Sequence, residues 1–124
     1  MKIIIFDGSF KTTTFINRLI EGISLEHDVY VLGFNEVIEK KIRNISYVAL
    51  GSNQSKINFI IRSIQLRGLN ILQHVKFLVN LVKREKEKII RVNIQLAINT
   101  IQPDIIHFQW LSVLSYLENL KLNN

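Results

Sequence analysis

Apolar and polar positions alternate between two rhythms along this chain. Residues 2–7 form a continuous β-rich run, apolar on both sides, of the kind that fills a central parallel strand. Asp7-Gly8-Ser9 ends it with turn residues. Thr12, Thr13 and Thr14 each offer a hydroxyl that can cap a helix, and Phe15, Ile16, Leu19, Ile20 and Ile23 follow at helical spacing. This is strand, loop, helix: the opening of a doubly wound fold. His27-Asp28 punctuates, and residues 29–32 predict a second strand closed by Gly33. Residues 36–42 read as a short helix or an irregular link. Residues 45–50 predict a third strand, ended by Gly51-Ser52-Asn53.

The rhythm then turns helical from about residue 56 to residue 101, with two interruptions. One is Gly68; the other is the charged run Lys83-Arg84-Glu85-Lys86-Glu87-Lys88. Three helices are predicted, near 56–67, 71–84 and 88–101. A continuous helix across 71–101 with an exposed polar middle is the alternative. Pro103 stops the helix and admits an extended segment, so residues 104–108 predict a fourth strand. Residues 111–122 begin another helix, with Leu111, Leu114 and Leu117 inward. The predicted class is α/β, a Rossmann-like parallel sheet with helices on both faces. Four strands are fewer than such a sheet commonly has, so residues 1–124 are expected to be a single domain that stops early, as a truncated one would.

Composition narrows the function classes. The chain has 124 residues, 48% of them hydrophobic, with one proline and five glycines, which suits one folded domain. Cysteine is absent, which excludes disulfides, thiolate metal sites and cysteine nucleophiles and fits a reducing compartment. The opening apolar run is too short for a signal peptide or a membrane span. The net charge is +6, and residues 56–91 hold nine basic and two acidic side chains, a local excess of +7. Such a field attracts nucleic acid, anionic lipid or a phosphorylated substrate, or is a plain solvated surface. Nucleic acid is disfavoured, because the sole tryptophan lies outside this region and Phe59 and Phe77 suit packing.

Candidate chemistry gathers where a parallel sheet binds ligands, at the carboxyl ends of its strands. Gly8, Ser9, Thr12 and Thr13 form one group, either an anion-binding loop at a helix N-terminus or a turn with a cap. Neither the GxGxxG nor the GxxxxGK[ST] phosphate loop is present. His107, Gln109 and Trp110 form a second group after the fourth strand. The imidazole there can take a proton or bond a sugar hydroxyl, and the indole can stack on a sugar ring. Gly51-Ser52-Asn53 either reaches the same crevice or is an ordinary loop. His27, His74 and His107 are too widely spaced for a recognised metal motif, so no metal is expected. His27 is placed at the opposite edge of the sheet, as is Asp104 relative to Asp7. The helix near 71–84 sets Ile71, Leu72, Val75, Leu78, Val79 and Val82 beside Lys76, Lys83 and Arg84. It is either a core helix covering a sheet or a helix lying on an anionic bilayer.

Four segments carry a family resemblance. Residues 2–6 match a first strand. Thr12-Thr13-Thr14-Phe15-Ile16 is similar to a Ser-Glu-Thr-Phe-Ile stretch. His27-Asp28-Val29-Tyr30-Val31 is similar to a Gly-His-Glu-Val segment, with Glu26 in the glycine's place. Pro103-Asp104-Ile105-Ile106-His107-Phe108-Gln109-Trp110 is similar to Pro-Asp-Ile-Ile-His-x-His-Trp, with Gln109 in place of a histidine. The chain thereby resembles the N-terminal part of bacterial two-domain, GT-B fold, retaining glycosyltransferases of family 4.

The resemblance implies an incomplete N-terminal, acceptor-side domain of a cytoplasmic enzyme of cell-envelope polysaccharide synthesis, peripheral on the inner face of the membrane. The full enzyme would move a sugar from a nucleotide-sugar donor to a glycan or lipid-linked acceptor. It implies His107 as the catalytic-site residue, positioning or polarising the reacting sugar, and Gly8, Ser9, Thr12, Thr13, Gln109 and Trp110 as substrate-binding. It implies no cofactor beyond the donor substrate, a C-terminal donor-binding domain as partner, and little or no transfer by this chain alone. The alternative is a non-catalytic α/β module or partner subunit that binds anionic lipid or another protein through residues 56–91, with Lys76, Lys83 and Arg84 at the membrane.

Overall fold

A computed structural model of the chain describes residues 1–8, 14–34, 44–52 and 55–108. The order of elements is β1 (Lys2–Gly8), α1 (Thr14–Ser24), β2 (Asp28–Gly33), β3 (Ser46–Ala49), α2 (Lys56–Arg67), α3 (Ile71–Val82), α4 (Lys86–Ile101) and β4 (Ile105–Phe108). The strands form one parallel sheet in the order β3-β2-β1-β4, a Rossmann-like α/β arrangement. The predicted residues 36–42 link and the 111–122 helix lie outside the described residues.

The continuous apolar run of β1 has a physical reason: β1 is central, flanked by β2 and β4, and buried on both sides. Ile4 and Phe6 face one core with Leu32, Phe34, Leu50, Phe59, Phe77, Ile89, Ile90, Ile94 and Ile98. Ile3 and Ile5 face the other, with Ile20, Val29, Val31 and Ile45. Helices α2, α3 and α4 build the first layer, and α1 covers the second.

The interruptions fall where the sequence places them. Gly68 ends α2 with φ 55, a backbone angle that favours glycine. Ser55 caps the start of α2 by accepting from the Asn58 N–H, and Asn70 caps α3 by accepting from the Gln73 N–H. The charged run separates α3 from α4, with Arg84 left-handed at φ 57 between them. This excludes one continuous helix across 71–101. Gln102, also left-handed at φ 52, closes α4 before Pro103. The chain then enters β4 through a clamp: the Lys2 N–H donates to Asp104 Oδ2 at 2.8 Å, and the Asp104 N–H donates to the Lys2 carbonyl at 2.8 Å. Asp104 therefore sits at the amino edge of the sheet and sets the β1–β4 register.

Candidate functional site at the carboxyl edge

The chain leaves β1 on one side towards β2 and β3 and returns on the other side as β4. Strand order reverses between β1 and β4, and the crevice outside their carboxyl ends is where open α/β sheets bind ligands. Register pairs Ile5 with His107 and Phe6 with Phe108, so β1 runs two residues past the end of β4 to Gly8. The Phe6 and Phe108 rings lie 5.8 Å apart, and Phe34 sits 5.8 Å from Phe6 on the β2 side. These rings floor the edge on the α2–α4 face.

His107 points away from them. Strand alternation puts its side chain on the α1 face, beside Ile5, where it is exposed. β1 reaches its end through an irregularity, with the register shifting between Phe6 and Gly8 so that Gly8 pairs with Gly33. Such shifts re-aim a strand end and are over-represented beside binding sites. The structure therefore brings Gly8 and His107 to one rim on neighbouring strands. Ser9, Thr12, Thr13, Gln109 and Trp110 lie outside the described residues.

The other two histidines are elsewhere. His27 is at the amino edge, its Nδ1 3.4 Å from the N-terminal nitrogen, as the sequence places it. His74 lies on α3 with Nε2 2.8 Å from the Gly68 carbonyl. Among the described residues no three His, Asp or Glu side chains converge as metal ligands.

A second concavity opens at the far end of the same edge, after β3. It has a volume of about 640 Å³ and is lined by Ser52, Ser55, Lys56, Phe59, Arg84 and Lys86 among others. Among the described residues the lining carries three cations and no carboxylate, which favours an anionic occupant. Lys86 Nζ stands 5.4 Å from the Phe59 ring centre. This concavity belongs to the α2–α4 face, and three strand spacings, roughly 14 Å, separate β3 from β4. The two places are distinct.

The polar support under β3 carries no motif in the sequence. Asn93 of α4 is fully buried. Its amide donates to the Leu50 carbonyl at 2.7 Å and to Ser63 Oγ at 3.0 Å. Its oxygen accepts from Arg67 Nη1 at 2.6 Å, and the same Nη1 donates to the Ser63 carbonyl at 2.7 Å. Arg67 is only 4% exposed and stacks 4.6 Å from the centre of the Phe77 ring. Burial lowers its pKa to about 10. The network ties α2, α3 and α4 to the exit of β3, where Gly51 and Ser52 are buried. Gly51 fits there because a Cβ would lie 2.8 Å from Phe59 Cδ2. The available signal was spacing: Phe59, Ser63 and Arg67 recur every fourth residue and form the buried stripe of α2.

Comparison with family models, curated proteins and solved structures finds no match to this chain. The site is therefore read from its own geometry. What the edge offers is an exposed imidazole near the end of β4, with Gly8 closing the neighbouring strand β1 farther along the same edge.

Proposed function

We propose that this chain is the acceptor-side, Rossmann-like domain of a GT-B type glycosyltransferase, working in the cytoplasm and requiring a donor-binding partner domain for transfer. One observation carries the reading: β4 lies parallel to β1 at the reversal of strand order, with His107 and Gly8 on the same rim. Three of the four segments that prompt the resemblance form, follow or lead into these two strands; the fourth, residues 27–31, enters β2.

In this reading His107 positions an acceptor or donor hydroxyl by hydrogen bonding, with Gln109 and Trp110 completing the sugar contact. The resemblance assigns substrate binding to Gly8, Ser9, Thr12 and Thr13 as well. The substrate of the complete enzyme is a nucleotide-sugar, and stabilisation of the departing diphosphate is left largely to the partner domain. Another nucleotide-binding α/β protein is less well supported, because both phosphate-loop patterns are missing.

The test is saturation-transfer NMR of the chain with a panel of oligosaccharide and polyprenyl-phosphate-sugar acceptors. Wild type should contact at least one sugar class. His107→Ala should weaken that contact while leaving the circular dichroism spectrum unchanged, since His107 is exposed. Wild type that contacts no carbohydrate, or a variant that contacts it equally, overturns the proposal.

A further inference from the structure

Helix α3 carries its apolar residues outward. Ile71 is 78% exposed, Leu72 62%, Val75 51%, Leu78 57%, Val79 46% and Val82 82%, while Phe77 is its one buried residue. At 100° per residue these six cover an arc of roughly 120°, wider than the minimum apolar stripe of an ordinary amphipathic helix. On most amphipathic helices that stripe faces the core. Here the core-facing side is held by Phe77 and the half-buried Leu81. Leu69, in the turn that leads into α3, is 99% exposed.

The neighbouring helix repeats the inversion. Ile57, Ile61 and Ile64 of α2 are 71%, 45% and 44% exposed, while Ser63 and Arg67 are buried. With Phe59, Ile60 and Leu66 of α2 already packed on the core, these three isoleucines add an apolar strip on its solvent side. Both helices pack on α4 and on each other, so the two outward stripes belong to one layer.

Charge identifies the occupant. From residue 40 to residue 84 the sequence contains nine lysines and arginines and no aspartate or glutamate. Lys76 and Lys83 stand at one border of the α3 stripe, within roughly 40° of Leu72 on the helical projection. Arg84 follows at the helix end, exposed. A second copy of this chain meeting α3 face to face would bring these cations together with no acid in the segment to pair them. A surface of phosphate headgroups over acyl chains satisfies both the apolar stripe and its basic border. At 12 residues α3 is too short to cross a bilayer, and no described helix is long and apolar enough to do so.

We propose that the outward faces of α3 and α2 dock this chain on an anionic bilayer. The α3 stripe lies in the interfacial plane, and Lys76, Lys83 and Arg84 contact headgroup phosphates. The carboxyl-edge site plays no part in this contact, so the inference is independent of the glycosyltransferase reading.

Sedimentation with vesicles tests it. The chain should pellet with phosphatidylcholine–phosphatidylglycerol vesicles and stay in solution with phosphatidylcholine alone. Added salt should weaken the pelleting. Lys76→Gln with Lys83→Gln should lower partitioning roughly 30-fold. Leu78→Asp should abolish it, and both variants should keep the wild-type circular dichroism because the sites are exposed. His107→Ala should pellet like wild type whatever its sugar contacts. Wild type remaining in solution with anionic vesicles overturns the proposal, as does equal pelleting by all variants. A concentration-dependent dimer, abolished by Leu78→Asp and indifferent to vesicles, would assign the face to a second copy instead.

Discussion

Replacing Asn93 with alanine removes the joint between three elements. The amide is the donor to the Leu50 carbonyl, and Leu50 is fully buried, so that carbonyl loses a partner away from water. An unsatisfied buried acceptor costs about 1–3 kcal/mol. The bond from Arg67 Nη1 is charge-assisted, and its loss costs about 1.5–3 kcal/mol. Arg67 keeps the Ser63 carbonyl, which limits the damage. The two terms share one network and will not add fully, so we expect about 2–5 kcal/mol in all. That is a large fraction of the roughly 5–15 kcal/mol that holds a domain together. The melting midpoint should fall by about 10–20 °C. Urea unfolding followed by far-ultraviolet circular dichroism measures it, with an unchanged slope m if the transition stays two-state. The double variant with Arg67→Met should cost at least about 1 kcal/mol less than the sum of the single changes, because the stranded cation is gone. A loss below about 1 kcal/mol for Asn93→Ala, or strict additivity, would refute the account of the network.

Three further outcomes follow from the same packing. Gly51→Ala should destabilise by about 1–3 kcal/mol in urea, because a Cβ 2.8 Å from the Phe59 ring forces that ring to move; a neutral result would show that Phe59 gives way freely. His107→Ala should change stability by less than about 0.5 kcal/mol, since the side chain is exposed on β4; a larger loss by thermal unfolding would make it a structural residue. Burial lowers the Arg67 pKa from its ordinary value to about 10, so below pH 10 the folded state bears the full cost of the charged guanidinium. Above about pH 10 the unfolded chain binds more protons, so raising the pH further should shift the stability difference towards wild type over Arg67→Met. A difference that stays flat from pH 9 to 11.5 in paired urea titrations counts against the burial of that charge.

The fold was legible because local and global signals agree over most of the chain. The run at residues 2–7 could only suit a strand buried on both faces, and β1 is central. The helix expected near 56–67 spans Lys56–Arg67, since the Ser55 cap and Gly68 stop mark both ends in sequence. The charged run misled by two residues on each side: α3 ends at Val82 and α4 begins at Lys86, because the reversal is made by backbone angles at Arg84 that composition does not display. What sequence could not show is which face of α2 and α3 turns inward. Periodicity marks an apolar stripe and presumes it buried. On α2 the tertiary network of Arg67, Ser63 and Asn93 turns the stripe of Ile57, Ile61 and Ile64 aside, and it joins residues 26 and 30 positions apart. At the candidate site, the placement of His107 and Gly8 on adjacent strands depends on strand order, which no local pattern encodes.

The rotation of α2 links this network to the docking surface. On the helical projection the outward stripe of Ile57, Ile61 and Ile64 lies roughly 120° from the buried stripe of Phe59, Ser63 and Arg67. In water alone, a helix free to turn would gain by burying isoleucine and releasing arginine, because each fully buried isoleucine is worth about 1.5–3 kcal/mol. The bonds from Arg67 to Asn93 and from Asn93 to Leu50 oppose that turn. Loosening them should therefore weaken vesicle binding, although Asn93 is fully buried and cannot touch lipid. Asn93→Ala, assayed well below its melting midpoint, should pellet less with anionic vesicles than wild type at the same protein and lipid concentrations. Gly51→Ala, which disturbs the exit of β3 without removing any bond of the network, should pellet as wild type does. If Asn93→Ala stays folded and binds vesicles undiminished, the orientation of α2 is not what presents the isoleucines, and the apolar face would have to be held outward by α3 and α4 alone.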